Sequence, residues 1–176
     1  MKRATRRRLA EVAREKAQLP FHGFVEGETS NLEPIIRHFP QWNVKDADRL
    51  WCAAFVYYCC IELGFEIPYS PSECVTCSLA GCGGWEKFAM GDSWVEYHTR
   101  DEGFIPKAGD IVLYDRVFVN REHDHIGIVL EENGDRIIVA EGNTFHDNIS
   151  RVIERPLDDH IRAYIRIPDG FRYREA

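Results

Sequence analysis

No stretch of this 176-residue sequence approaches the roughly 20 consecutive apolar residues that a helix needs to cross a bilayer. The basic N-terminus has no apolar h-region, because Leu9-Ala10 and Val12-Ala13 are split by charges. No export signal is therefore expected, and the chain is expected to be cytoplasmic as made, reaching a cell wall only by release or another export route. Internal repeats and low-complexity linkers are also lacking, which excludes a repeat array. The six cysteines, at 52, 59, 60, 74, 77 and 82, leave most of the chain without one. A disulfide framework would spread its staples more widely, so reduced thiols or a local metal site are expected instead. Only one Cys-x-x-Cys occurs, Cys74 to Cys77, where a strong zinc signature uses two.

Hydrophobic residues make up 44% of the chain and aromatics 12%, enough for a packed core and too many for a disordered chain. The length suits one domain plus an extension. The net charge of −7 is uneven: Met1 to Lys16 carries seven basic and two acidic residues, giving +5 and leaving −12 for the rest. An acidic body argues against extended nucleic-acid binding. The basic head reads most simply as a solvated helix, although RNA, an anionic membrane surface or a wall polymer would suit its charge.

Leu9, Val12 and Lys16 space a helix over TRRRLAEVAREKAQL, ended by Pro20. Residues 21–47 read as irregular apart from a short turn around LEPIIRHF. Asp46 or Asp48 is placed to cap a helix with the apolar body LWCAAFVYYCCIEL, which Gly64 stops. IPYSPSECVTCSLAGCGG reads as a loop and WEKFAMGDSWVEY as a short helix. Strands then follow at DIVLYD, HIGIVLE, RIIVAEGN, ISRVIER and IRAYIRI, with ENGDR as a hairpin turn. Helices first and antiparallel strands afterwards mean α+β.

RLWCAAFVYYCC holds three cysteines in very different positions. A thiol attacks as the thiolate, which a helix N-terminus and a histidine both favour. Cys52 lies at the helix start; Cys59 and Cys60 lie two turns deeper among apolar neighbours, where desolvation disfavours the anion. Among seven histidines, His125 stands at the mouth of the strand HIGIVL, held firmly yet reachable, which suits a general base; His123 lies outside the run. The next strand ends VAEGNT, offering Glu141 and Asn143 on one face to orient the imidazole. Sharing that face with His125 requires partner numbers that add to an even total, 266 or 268. A two-residue Asn133-Gly134 turn gives 267, so an odd-length turn or a bulge is expected between the strands.

WCAAFV, PKAGDIVLYD, DHIGIV, AEGNT and IRAYIRIP, in this order and spacing, resemble the cysteine, histidine-dependent amidohydrolase/peptidase family, CHAP. The resemblance runs from Asn43 to Pro168 and divides the chain into a basic helical extension, 1–42, and a CHAP-like catalytic domain, 43–170. It implies a papain-like fold, about five strands with the nucleophile at a helix N-terminus. It also implies cleavage of amide bonds in peptidoglycan, by an amidase or peptide-bridge endopeptidase. Cys52 is then the nucleophile, His125 the base, and Glu141 and Asn143 the polar groups beyond it. Trp51, beside the nucleophile, is the aromatic expected to touch substrate. No cofactor is expected; the partner is peptidoglycan or a peptide, with no nucleic acid and an open oligomeric state.

Other constellations have competing readings. Cys74, Cys77 and Cys82 would hold a metal, form a local disulfide or pack as thiols. His123-Asp124-His125 would ligate a metal only with a third ligand nearby. Asp46 and Asp48 would bind calcium, as in some relatives, or cap the helix. An acyltransferase, transamidase or protein-directed peptidase on the same site, and a non-enzymatic binding module, are the rival functions.

Overall fold

The computed structural model describes residues 4–25 and 29–172. Helix α1, Arg6–Ala17, starts where the Thr5 hydroxyl accepts the Arg8 N–H. It buries Leu9, Ala10, Ala13 and Ala17. The apolar stripe is thus Leu-Ala-Ala-Ala rather than one through Val12 and Lys16, and its small residues let the helix lie close to its neighbours. Leu9 and Ala13 are fully inaccessible and belong to the main core. A one-turn helix α2, Glu33–Ile36, follows.

Helix α3, Cys52–Leu63, is apolar on every side and buried along Ala53 to Cys60, as expected for a helix in the middle of a core. Gly64, in the left-handed region at φ 102°, ends it by returning its N–H to the Cys60 and Ile61 carbonyls. Helix α4, Cys82–Gly91, begins inside the segment that reads as loop and stops well before Tyr97. Its glycines hid it from propensity reasoning. Gly84 is required there, since a Cβ would collide with the Ser78 carbonyl.

Six antiparallel strands form one sheet, ordered β1-β6-β2-β3-β4-β5. They are β1 (Glu96–Thr99), β2 (Ile111–Tyr114), β3 (His125–Asn133), β4 (Arg136–Glu141), β5 (Arg151–Pro156) and β6 (Ile161–Arg166). The five expected strands are joined by β1, which pairs along β6 and occupies sequence that reads as the end of a helix. The helices cover one face over Ile111, Leu113, Ile126, Ile128 and Ile165. Val112, Tyr114, Val129, Ile137, Val139 and Tyr164 make a smaller cluster on the other. This is an α+β fold.

The β3–β4 pairing carries the parity that the site requires. The turn has two residues, Gly134 and Asp135, so Asn133 faces Arg136 and the totals are odd as far as Glu131↔Ile138. A bulge at Leu130 then shifts the register, giving Val129↔Val139 and Ile128↔Ala140. The total becomes 268, and His125 and Glu141 share a face at the end of the sheet.

Candidate active site

Cys52 is the first residue of α3. Trp51 is the N-cap residue without a side-chain cap, and no acidic residue lies in the first turn. The expected carboxylate caps are absent: Asp48 accepts instead from the Phe24 N–H at 3.0 Å and the Asn148 amide at 2.5 Å. The Asp46 N–H donates to Asn43. Among the described residues, the helix start therefore has no side-chain cap over its N–H groups and no carboxylate in its first turn, an arrangement that favours a thiolate. The Ala53 N–H turns to the Cys52 sulfur.

His125 heads β3 and is 1% exposed. Its ring stacks on Tyr114 at 5.8 Å and takes the edge of Phe118 at 4.5 Å. Nε2 lies 2.8 Å from Glu141 Oε2. A carboxylate only accepts, so Nε2 carries the proton and Nδ1 is left for Cys52, with which the imidazole interacts. Glu141, fully buried, ends β4. Gly127 lies opposite, and a Cβ there would press to 3.0 Å on Glu141 Cγ, so glycine makes room for the carboxylate. Arg155, on β5, completes the group: Nε donates to Oε1 at 2.5 Å and Nη2 to Oε2 at 2.8 Å. Its guanidinium lies 5.0 Å from the Tyr114 ring and 5.3 Å from that of Phe118. Nothing local in ISRVIER marked Arg155; it pairs with Ile137, two alternate positions before Glu141 on the same face of β4, and its long side chain reaches along that face to the carboxylate.

These neighbours set the charges. Burial raises the Glu141 pKa, but His125 and Arg155 outweigh it and hold the carboxyl at about 2. Burial lowers the His125 pKa, and Glu141 and Cys52 outweigh it, lifting the ring to about 9. The Cys52 thiol is pulled well below its ordinary value, first by a bond from Cys82 and then, against burial, by His125. Desolvation raises Cys59 and Cys60, both fully buried. One thiol thus sits in a field that supports its anion, and two sit where the anion is disfavoured.

Asn143 is placed differently from Glu141. It has a left-handed φ of 50°, lies beyond the strand, and its amide donates to the Arg49 carbonyl at 2.7 Å. Its oxygen accepts the Asn148 N–H at 3.0 Å. It braces the approach to Cys52 rather than the imidazole. Asn148, which sequence reasoning passed over, is the hub of that brace: its oxygen accepts from the Arg49 N–H at 3.0 Å and the Trp51 indole at 2.8 Å. Trp51 is fully buried; in this placement it presents no surface to substrate, and its work is to pack the helix start. Gly142 permits that packing, since a Cβ would stand 2.6 Å from Phe55 Cβ and 2.8 Å from Trp51 Cζ3.

A groove of about 190 Å³ opens over the thiol, lined by Trp42, Arg49, Cys82, Arg121 and His123 among others. Trp42, not Trp51, is the tryptophan that lines this groove. His123 lines this groove but is held by Glu86, its Nε2 at 2.7 Å from Oε1, and Arg162 bonds the same carboxylate. The thiols 74, 77 and 82 also diverge: Cys74 donates to the Gly84 carbonyl at 3.0 Å and interacts with Cys77, whereas Cys82 Sγ lies 3.8 Å from Cys52 Sγ.

The CHAP domain family model matches residues 43–143. No curated protein matches the chain. Among solved structures, the chain is similar to the crystal structure of Ly7917, with 14% identity and a TM-score of 0.46, over 77% of this chain and 61% of that one. It is also similar to Ly7917 with the hydrolyzing product of MDP, with 21% identity and a TM-score of 0.34, over 42% and 32%. The chain therefore spans less than two thirds of Ly7917.

Proposed function

The chain belongs to the CHAP domain family, a family of cysteine amidohydrolases and peptidases, and from that premise we propose that it hydrolyses an amide bond of peptidoglycan with Cys52 as nucleophile. The observation that most supports this reading is the run of groups Cys52, His125, Glu141 and Arg155. It starts at a helix N-terminus, passes through an imidazole and ends on a buried carboxylate that is itself ion-paired.

In this reading the Cys52 thiolate attacks the amide carbonyl, with His125 already protonated at Nδ1. The oxyanion is received by the Cys52 N–H, which no cap occupies. The imidazolium gives its Nδ1 proton to the leaving nitrogen as the C–N bond breaks. The neutral ring then takes a proton from water, whose oxygen attacks the thioester; the carboxylic product leaves and the thiolate–imidazolium pair returns. Glu141 keeps the proton on Nε2 throughout and Arg155 keeps Glu141 ionised. Asn143 and Asn148 hold residues 49–51 so that the sulfur meets the ring.

The test is digestion of purified peptidoglycan with the full chain and mass spectrometry of the soluble fragments. Wild type is expected to release new amino termini at one bond type, and Cys52→Ser none. A muropeptide pattern unchanged by wild type, together with cleavage of a protein substrate, would move the same chemistry to a protein-directed peptidase.

A further inference from the structure

We propose that Cys52 and Cys82 form a peroxide-modified dithiol site, in which Cys82 resolves an oxidised Cys52 as a reversible disulfide. The two sulfurs lie 3.8 Å apart, on the first residues of α3 and α4. Among the described residues, Cys82 is the one thiol that shares the groove with Cys52. A sulfur–sulfur bond is about 2.05 Å long, so the pair must close by roughly 1.8 Å. Cys82 is flanked by Gly81 and Gly83, at which an added Cβ would meet no atom closer than 3.8 Å. The backbone carrying this thiol therefore has room to move, unlike that of Cys59 or Cys60 inside α3.

The chemistry balances with a hydroperoxide as oxidant. The half-buried Cys52 thiolate attacks the peroxide oxygen, the O–O bond breaks, and Cys52 becomes a sulfenic acid as hydroxide leaves. Cys82 sulfur attacks the sulfenic sulfur, its proton leaves with the departing oxygen as water, and the S–S bond forms. Two thiols and one hydrogen peroxide give a disulfide and two waters. A dithiol reductant reverses it. The ion pair that prepares Cys52 for amide attack also makes it the thiol most open to peroxide. Cys82 protects it from irreversible oxidation and holds it inactive until it is reduced. The inference requires a reactive Cys52 but no particular amide substrate.

The full chain is treated with hydrogen peroxide, its remaining thiols are blocked with N-ethylmaleimide, and it is digested. Trypsin alone leaves all six cysteines on one peptide, residues 50–87; adding a glutamyl endopeptidase separates 50–62 from 74–86. The expected product joins these two peptides through Cys52 and Cys82, is absent before peroxide and disappears with dithiothreitol. Without Cys82, the Cys82→Ser chain is expected to accumulate sulfinic acid at Cys52 and regain at most about one tenth of its own unoxidised alkylation capacity. A wild-type chain whose oxidised form joins other cysteines, or in which Cys52 passes directly to sulfinic acid, overturns the proposal. Because these readings come from peptide masses, they stand apart from the peptidoglycan assay: failure there leaves the dithiol result interpretable.

Discussion

Glu141 is a buried carboxylate with two cationic partners, and its ionisation decides the state of His125. Its folded pKa of about 2 lies below the ordinary 4.5, so the stability it contributes is present above pH 4.5 and is lost as pH falls towards 2. His125 has the opposite sign: its pKa of about 9 lies above 6.5. Its contribution is full below 6.5 and is lost as pH climbs through 9. A thermal midpoint measured against pH should therefore form a plateau between about 4.5 and 6.5 and fall on both sides. Glu141→Gln should flatten both flanks and lower kcat by about 10²- to 10⁴-fold, read by a pH–rate profile whose alkaline limb moves down from about 9. Arg155→Ala removes one partner from a buried ion pair and should cost about 3–5 kcal/mol in a denaturant titration. Cys52, His125 and Glu141 were legible in the sequence because each sits at an element boundary that local chemistry marks. Arg155 and Asn148 were not, since their partners lie on other strands and loops and nothing in their own neighbourhood announces them.

Elements bring these residues together by register and close approach. The parity condition on β3 and β4 could be written down from the numbers 125, 141 and 143. Its solution, a bulge at Leu130 beyond a two-residue turn at Gly134-Asp135, has no mark in the local sequence and could not be placed in advance. The sequence around α4 misled in a different way: glycine at 81, 83 and 84 signals a turn, yet Gly84 is there because the Ser78 carbonyl leaves no room for a Cβ. Gly142 is the element-scale contact that the site depends on most. Gly142→Ala should push the β4 end from Phe55 and Trp51, destabilise the fold by about 1–3 kcal/mol, and slow Cys52 alkylation. Unchanged stability and alkylation would show that α3 and β4 have more slack than the packing indicates.

At the scale of the whole molecule, the +5 of the first sixteen residues is answered by the acidic body. Arg6 faces Asp110 and Asp169, Arg14 faces Glu131, and Lys16 Nζ lies 3.3 Å from Glu62. The charge asymmetry read in the sequence is therefore at least partly an internal complementarity. Gly109, at φ 89°, accommodates the Arg6 carbonyl where a side chain would collide. The Leu9 and Ala13 side chains complete the core shared by α3 and the sheet. Deleting residues 1–17 should therefore cost more than about 3 kcal/mol of unfolding free energy, since it removes a buried leucine and opens a cavity over α3. Full retention of the midpoint after that deletion would mark α1 as an appendage.

The central claim is that Cys52 is a thiolate because His125, held by Glu141, is an imidazolium. The most direct measurement is the pH dependence of iodoacetamide alkylation at Cys52, followed by peptide mass in wild type and His125→Ala. Wild type should alkylate rapidly well below the ordinary cysteine pKa, and His125→Ala should recover only at alkaline pH. Alkylation of both with the same alkaline midpoint would contradict the account.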